Sequence, residues 1–154
     1  MKKIVIATLF ALVAVSASAV EVGVIGGEVF QSNKHTNNTA GVTVGEQFGK
    51  FGVTGEFDHN FKKTNQAQVN RYSIIGSYDV TKIGSATIGL KAGAGFVDTT
   101  NGRPTGYEGL VGAGVTVPVT AKISATADYR YAKAQDRIKD QSGNQVLIGV
   151  KYSF

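Results

Sequence analysis

A side-chain period of two, repeated in segments of about ten residues, constrains this chain more than any other feature. It is plainest at the C-terminus. From Gln145 to Phe154 the even positions are Val146, Ile148, Val150, Tyr152 and Phe154, and the odd ones are Gln145, Leu147, Gly149, Lys151 and Ser153. Successive side chains of a strand point to opposite faces, so this segment has one apolar and one mixed face.

The scheme recurs upstream. Ile123, Ala125, Ala127, Tyr129 and Tyr131 alternate with Lys122, Ser124, Thr126, Asp128 and Arg130. Tyr107, Val111, Ala113, Val115 and Val117 stand opposite Glu108, Gly112, Gly114 and Thr116, and Ile88, Leu90, Ala92, Ala94 and Phe96 opposite Thr87, Gly89, Lys91, Gly93 and Gly95. Tyr72, Ile74 and Tyr78 oppose Arg71, Ser73, Ser77 and Asp79, and Phe51, Val53, Phe57 and Phe61 oppose Thr54, Glu56, Asp58 and Asn60. Two further segments are less regular. Val42, Val44 and Phe48 alternate well, but Glu46 falls in their row. Val22 and Val24 open the first segment, and Gly26-Gly27 predicts a bulge that switches parity, since otherwise Glu28 joins the apolar face. The count is eight strands.

Phe48–Phe51, Val80–Gly84 and Pro118-Val119 are short connections. Ser32–Asn38, Lys63–Ala67, Asp98–Thr105 and Lys133–Gly143 are mostly longer and polar, with turn signals such as Asn101-Gly102. This is the pattern of an up-and-down meander whose two ends face different environments. Twenty Gly and only two Pro argue against a helical fold, and the absence of Cys excludes disulfides and thiolate metal sites.

Residues 1–19 read as a cleaved signal peptide: Lys2 and Lys3, the apolar run Ile4–Val15, then Ala17-Ser18-Ala19. The expected mature domain is residues 20–154. Loss of the two leader lysines lowers the formal charge from +5 to +3. An exported chain is not expected to meet nucleic acid.

Which face looks outward decides the class. A soluble barrel has a polar exterior, whereas a membrane barrel has an apolar one. The mixed face here carries Gly89, Gly93, Gly95, Gly112, Gly114 and Gly149, and small residues suit the inside of a narrow barrel. Its charges also balance. Glu56, Asp58, Asp79, Glu108 and Asp128 stand against Arg71, Lys91, Lys122, Arg130 and Lys151, as a buried lumen network requires. Phe48, Phe51, Tyr78, Tyr152 and Phe154 gather near one set of strand ends, and Phe57, Phe61, Phe96, Tyr107, Tyr129 and Tyr131 near the other. That is a double aromatic girdle around an aliphatic band. The expected fold is all-β, an eight-stranded antiparallel up-and-down transmembrane β-barrel.

The leader, the Gly-rich alternating strands and the ending Val150-Lys151-Tyr152-Ser153-Phe154 resemble the small eight-stranded outer-membrane barrels of Gram-negative bacteria, of the OmpX and OmpA transmembrane-domain kind. The resemblance covers the whole mature chain. It implies a monomer in the outer membrane with both termini in the periplasm and four external loops. It also implies that Tyr152 and Phe154 form the signal for the barrel assembly machinery, and a role in envelope integrity, adhesion or stress resistance with host or environmental ligands.

Enzymatic and channel functions are the alternatives. Lipid A-modifying enzymes need a nucleophile, a His base and an orienting carboxylate. Only His35 and His59 exist, and Asp58, as the strand neighbour of His59, points the other way. No catalytic residue, metal or cofactor is expected. Eight strands leave an interior that side chains fill, so an open pore is not expected either, although a thin gated conductance is a further alternative. The external loops hold Lys34, Lys62, Lys63, Arg103, Lys133, Arg137 and Lys139 against Asp98, Asp136 and Asp140. This excess is expected to contact the phosphates of lipopolysaccharide beside the outer-membrane lipid.

Overall fold

The computed structural model describes residues 20–32, 36–61, 68–99 and 105–154, with the Asp136 side chain left aside. The leader at 1–19, His35 and four of the seven loop cations (Lys34, Lys62, Lys63 and Arg103) lie outside the described residues.

Eight strands follow in chain order: β1 (Val20–Gln31), β2 (Thr36–Phe48), β3 (Phe51–Asn60), β4 (Val69–Ile83), β5 (Ala86–Thr99), β6 (Gly106–Pro118), β7 (Ile123–Ala134) and β8 (Gly143–Ser153). Each pairs antiparallel with its neighbours, and β8 closes on β1. Closure leaves no unpaired sheet edge, so every strand can face hydrocarbon with its backbone satisfied. Two hairpins close through two-residue turns, Gly49-Lys50 and Gly84-Ser85. Their glycines adopt φ of 63° and 61°, a conformation that a Cβ disfavours. At the third short turn, the Thr120 hydroxyl accepts the backbone N–H of Ile123 at 3.0 Å.

The strand count and the parities of the six clean segments match the alternation. Two local readings change. Gly26-Gly27 forms no bulge, because β1 keeps an unbroken register with both β2 and β8. Gly27 instead allows a close approach, since a Cβ there would fall 2.9 Å from Leu147 Cα. Glu28 therefore does stand on the outward face and is exposed. Second, the Val80–Gly84 connection is mostly strand, and the ladder's irregularity falls there, where the register shifts between Asp79 and Thr81. Glu46 keeps the outward parity read from the sequence, paired between Val20 and Val53 near one end of the wall.

Between their ends the outward rows are apolar. Val24, Val42, Ile74, Leu90, Val111, Ile148 and Val150 are all exposed, a surface that water would penalise and lipid accepts. Aromatic contacts flank this band. Phe51–Tyr78 and Tyr152–Phe154, with centroids 4.8 and 5.1 Å apart, lie towards the short turns. Phe57–Tyr72 and Phe96–Tyr107, at 5.0 and 5.5 Å, lie towards the long loops.

The inward rows are mixed, as read from the sequence, and their apolar members cluster. Val69, Val97, Ala134 and Ile138 form one buried apolar cluster, and Ile75, Leu110 and Ala132 another. The second lies along one register line, Ile75–Gly93–Leu110–Ala132, with Gly93 leaving room between two large side chains. The core of this protein is thus its own lumen, apolar and ionic by turns.

Candidate functional site

Eight strands enclose a space that side chains fill, so any long inward residue must either cross it or lie along it. Arg130 crosses it. It projects from β7, and its guanidinium donates to both carboxylate oxygens of Glu56 on β3, four strands away, at 2.8 and 3.1 Å. Room for it comes from Gly112, its register partner on β6, where a methyl group would fall 2.7 Å from Arg130 Cγ. Arg71 of β4 lies between two carboxylates, with Nε 3.4 Å from Glu108 on β6 and a terminal nitrogen 3.7 Å from Asp58 on β3. Asp58 also accepts the Thr39 hydroxyl at 3.0 Å. Both arginines are 1% exposed.

A cap seals this half. The loop after β7 winds into a 3-10 segment, Asp136–Gln141, that drops Ile138 onto Val69, Val97 and Ala134. Ile138 also fills the space beside Gly106. The segment is tied to the wall on two sides: Gln31 donates to Gln141 at 2.6 Å and the Ser32 backbone to the Ser142 carbonyl at 2.8 Å, while the Gln135 backbone donates to Tyr107 at 3.0 Å. The Ser142 hydroxyl accepts the Ala134 N–H at 2.9 Å.

Towards the short turns the cations are lysines. Lys91 reaches Asp128 at 2.6 Å, with Gly114 giving space beside both. Lys151 reaches Glu21 at 3.2 Å, and the Ser153 hydroxyl donates to the same carboxylate at 3.3 Å. Gln47 donates to Asp79 at 3.3 Å. A cavity of about 30 Å³, one water in size, lies among Thr43, Glu56, Lys91, Asp128 and Lys151.

Of the ten residues assigned by sequence to the lumen, the structure brings Glu56, Asp58, Arg71, Lys91, Glu108, Asp128, Arg130 and Lys151 into ion pairs. Asp79 is half-exposed near the short turns. Lys122 is a correction. It lies in the turn before β7, exposed, with its ammonium 5.6 Å from the Tyr152 ring. The alternation carried β7 back to about Thr120, into that turn, whereas the strand begins at Ile123. Glu21 is the residue that sequence reasoning missed. Its odd parity in β1, opposite Val22 and Val24, was the available signal.

The other assigned residues stand outside the lumen. Lys133, Arg137 and Lys139 are exposed around the cap. Tyr152 and Phe154 pack edge to face at the end of β8. His59 points outward, its Nδ1 2.7 Å from Asn70 Oδ1, while Asp58 points inward to Arg71. Asp58 therefore cannot orient the imidazole as a catalytic triad requires. Among the described residues no group of three or more His, Asp or Glu converges as a metal centre.

No family model matches this sequence, and no curated protein matches it. Solved structures do match. Neisserial surface protein A superposes with a TM-score of 0.68 at 19% identity, over 90% of this chain and 98% of that one. The outer-membrane protein Ail of Yersinia pestis, in a phospholipid bilayer nanodisc, gives 0.57 at 15% identity over 89% and 99%. Ail in complex with the heparin analogue sucrose octasulfate gives 0.52 at 18% over 89% and 97%. At these identities the likeness is one of fold: a small, closed eight-stranded barrel.

Proposed function

We propose that this barrel is a non-enzymatic outer-membrane protein with a structural and surface-interaction role, its long loops facing outward and its basic rim contacting lipopolysaccharide. The observation that carries this reading is the sealed lumen. Arg130 spans it to Glu56, and Ile138 closes one end over an apolar floor, so the wall is built as a rigid plug. What remains for interaction is the exterior. It combines an apolar band with the exposed cations Lys133, Arg137 and Lys139 around a tethered cap. Lys34, Lys62, Lys63 and Arg103 belong to the same set of loops by sequence. Clustered cations beside an anionic leaflet attract phosphate at about 1 kcal/mol each. The structure of Ail in complex with the heparin analogue sucrose octasulfate offers a parallel for a barrel of this fold with a polyanion. By the same reading both termini lie in the periplasm, the mature protein is a monomer, and assembly uses Tyr152 and Phe154.

Three experiments test this. The folded chain should resist SDS until heated and change mobility on boiling, and a water-soluble chain without that shift would sink the membrane reading. Replacing Lys133, Arg137 and Lys139 together by Ala should weaken binding to lipopolysaccharide micelles by at least about tenfold at low salt, with little difference at high salt. Equal binding by the triple variant would remove these residues from the contact. Mass spectrometry of lipid A from cells with and without the gene should give one acyl pattern; two patterns would restore the enzyme alternative.

A further inference from the structure

The sealed half of the lumen does not balance its charge. Among the described residues, five ionisable side chains lie inside it, Glu56, Asp58, Glu108, Arg71 and Arg130, and all are buried. Three are carboxylates and two are guanidiniums, which leaves one negative charge. In the other half Lys91 is paired with Asp128 and Lys151 with Glu21. Within the sealed half the deficit is local. Arg130 is taken up by Glu56 through two hydrogen bonds. Arg71 must serve Asp58 and Glu108 together, at 3.7 and 3.4 Å, and its two terminal nitrogens donate no hydrogen bond. A buried carboxylate served this poorly is costly.

A second observation lies beside the first. Asn37 and Asn60, 2% and 1% exposed, have side-chain oxygens that accept no hydrogen bond, and neither does Oε1 of Glu108; Nδ2 of Asn60 also lacks a partner. Asn60 follows Asp58 by two residues on the inward row of β3. Asn37 precedes Thr39 by two on the inward row of β2, Thr39 donates to Asp58, and Thr39 and Asn60 are partners in the ladder. Side chains at such diagonal positions are neighbours on one face. Surplus negative charge next to unused amide oxygens is the donor set of a hard cation. Amide oxygens can replace the hydration shell of an alkali ion, and a single positive charge is what the count lacks.

We propose that the sealed half of the lumen binds one monovalent alkali cation, held between Asp58 and Glu108 with the side-chain oxygens of Asn37 and Asn60. The ion completes the pairing that Arg71 shares out, and makes the stability of the barrel dependent on the cation present. A divalent ion would overshoot the charge, in keeping with the lack of a third convergent carboxylate or histidine among the described residues.

The test is thermal unfolding of the full chain in detergent micelles, in sodium, potassium or N-methyl-D-glucammonium chloride at one ionic strength. The midpoint should be at least about 3 °C higher in sodium or potassium than with the bulky organic cation. Glu108→Gln removes the surplus charge and should give one midpoint in all three salts; if that variant fails to fold, Asp58→Asn makes the same test. Asn60→Ala keeps the charge, removes one ligand, and should at least halve the shift. Equal midpoints for the unaltered chain overturn the proposal, as does a full shift in Glu108→Gln or Asn60→Ala. Equal midpoints together with a Glu108→Gln variant that is more stable in every salt would assign the surplus charge to a bound proton, and overturn the cation.

Discussion

The two halves of the lumen solve one electrostatic problem with different residues. In the half under the cap the cations are Arg71 and Arg130, each 1% exposed, and the apolar cluster around Ile138 closes the end. In the half towards the short turns the cations are Lys91 and Lys151, whose side chains are 17% and 20% exposed beside a water-sized cavity. The separation follows from hydration. An ammonium is a compact, strongly hydrated charge and keeps some water, whereas a guanidinium is weakly hydrated and can meet a carboxylate with two parallel bonds. The difference teaches that the arginine half is the dry plug and the lysine half the partly solvated one.

Breaking the plug should cost most. Arg130→Ala leaves the Glu56 carboxylate buried without its partner and should destabilise by about 3–5 kcal/mol, read by urea unfolding in micelles. The double change Glu56→Leu with Arg130→Met should recover most of that loss, because two apolar side chains need no pairing. A double variant as unstable as Arg130→Ala would show that the pair contributes more than charge compensation. Next comes the cap, where Ile138→Ala should cost about 2–4 kcal/mol. It should also speed amide exchange near Val69 and Val97 while leaving the ends of β1 and β8 near Glu21 and Lys151 unchanged; uniform acceleration would mean that the two halves unfold as one.

Smaller changes sharpen the contrast. Gly112→Ala pushes a methyl against Arg130 and should cost about 1–3 kcal/mol, whereas Gly109→Ala, on the outward row with open space around it, should be close to neutral. Similar losses at both glycines would count against the crowding argument. In the lysine half, Lys151→Ala should cost no more than about 1 kcal/mol, and less as salt is raised, since the Glu21 pair is partly solvated. A loss as large as that of Arg130→Ala would erase the distinction between the halves.

Much of this was legible in the alternation. It placed Glu56, Asp58, Arg71, Lys91, Glu108, Asp128, Arg130 and Lys151 on the inward face, because a period of two follows from strand geometry alone. Where the reading failed, the cause was a longer-range contact. Gly26-Gly27 looks like a bulge in one strand, but Gly27 is small because β8 presses against it. Ile138 carries no periodic signal at all, and only the closed mouth of the barrel gives it something to cover.

The sequence by itself determined the eight strands, their inward and outward rows and the apolar exterior, since each of these depends on residues within a few positions of one another. Only the tertiary structure decided which charge meets which. Glu56 and Arg130 lie 74 positions apart, and they meet because closing β8 onto β1 sets β3 opposite β7 across a lumen narrow enough for one arginine to span.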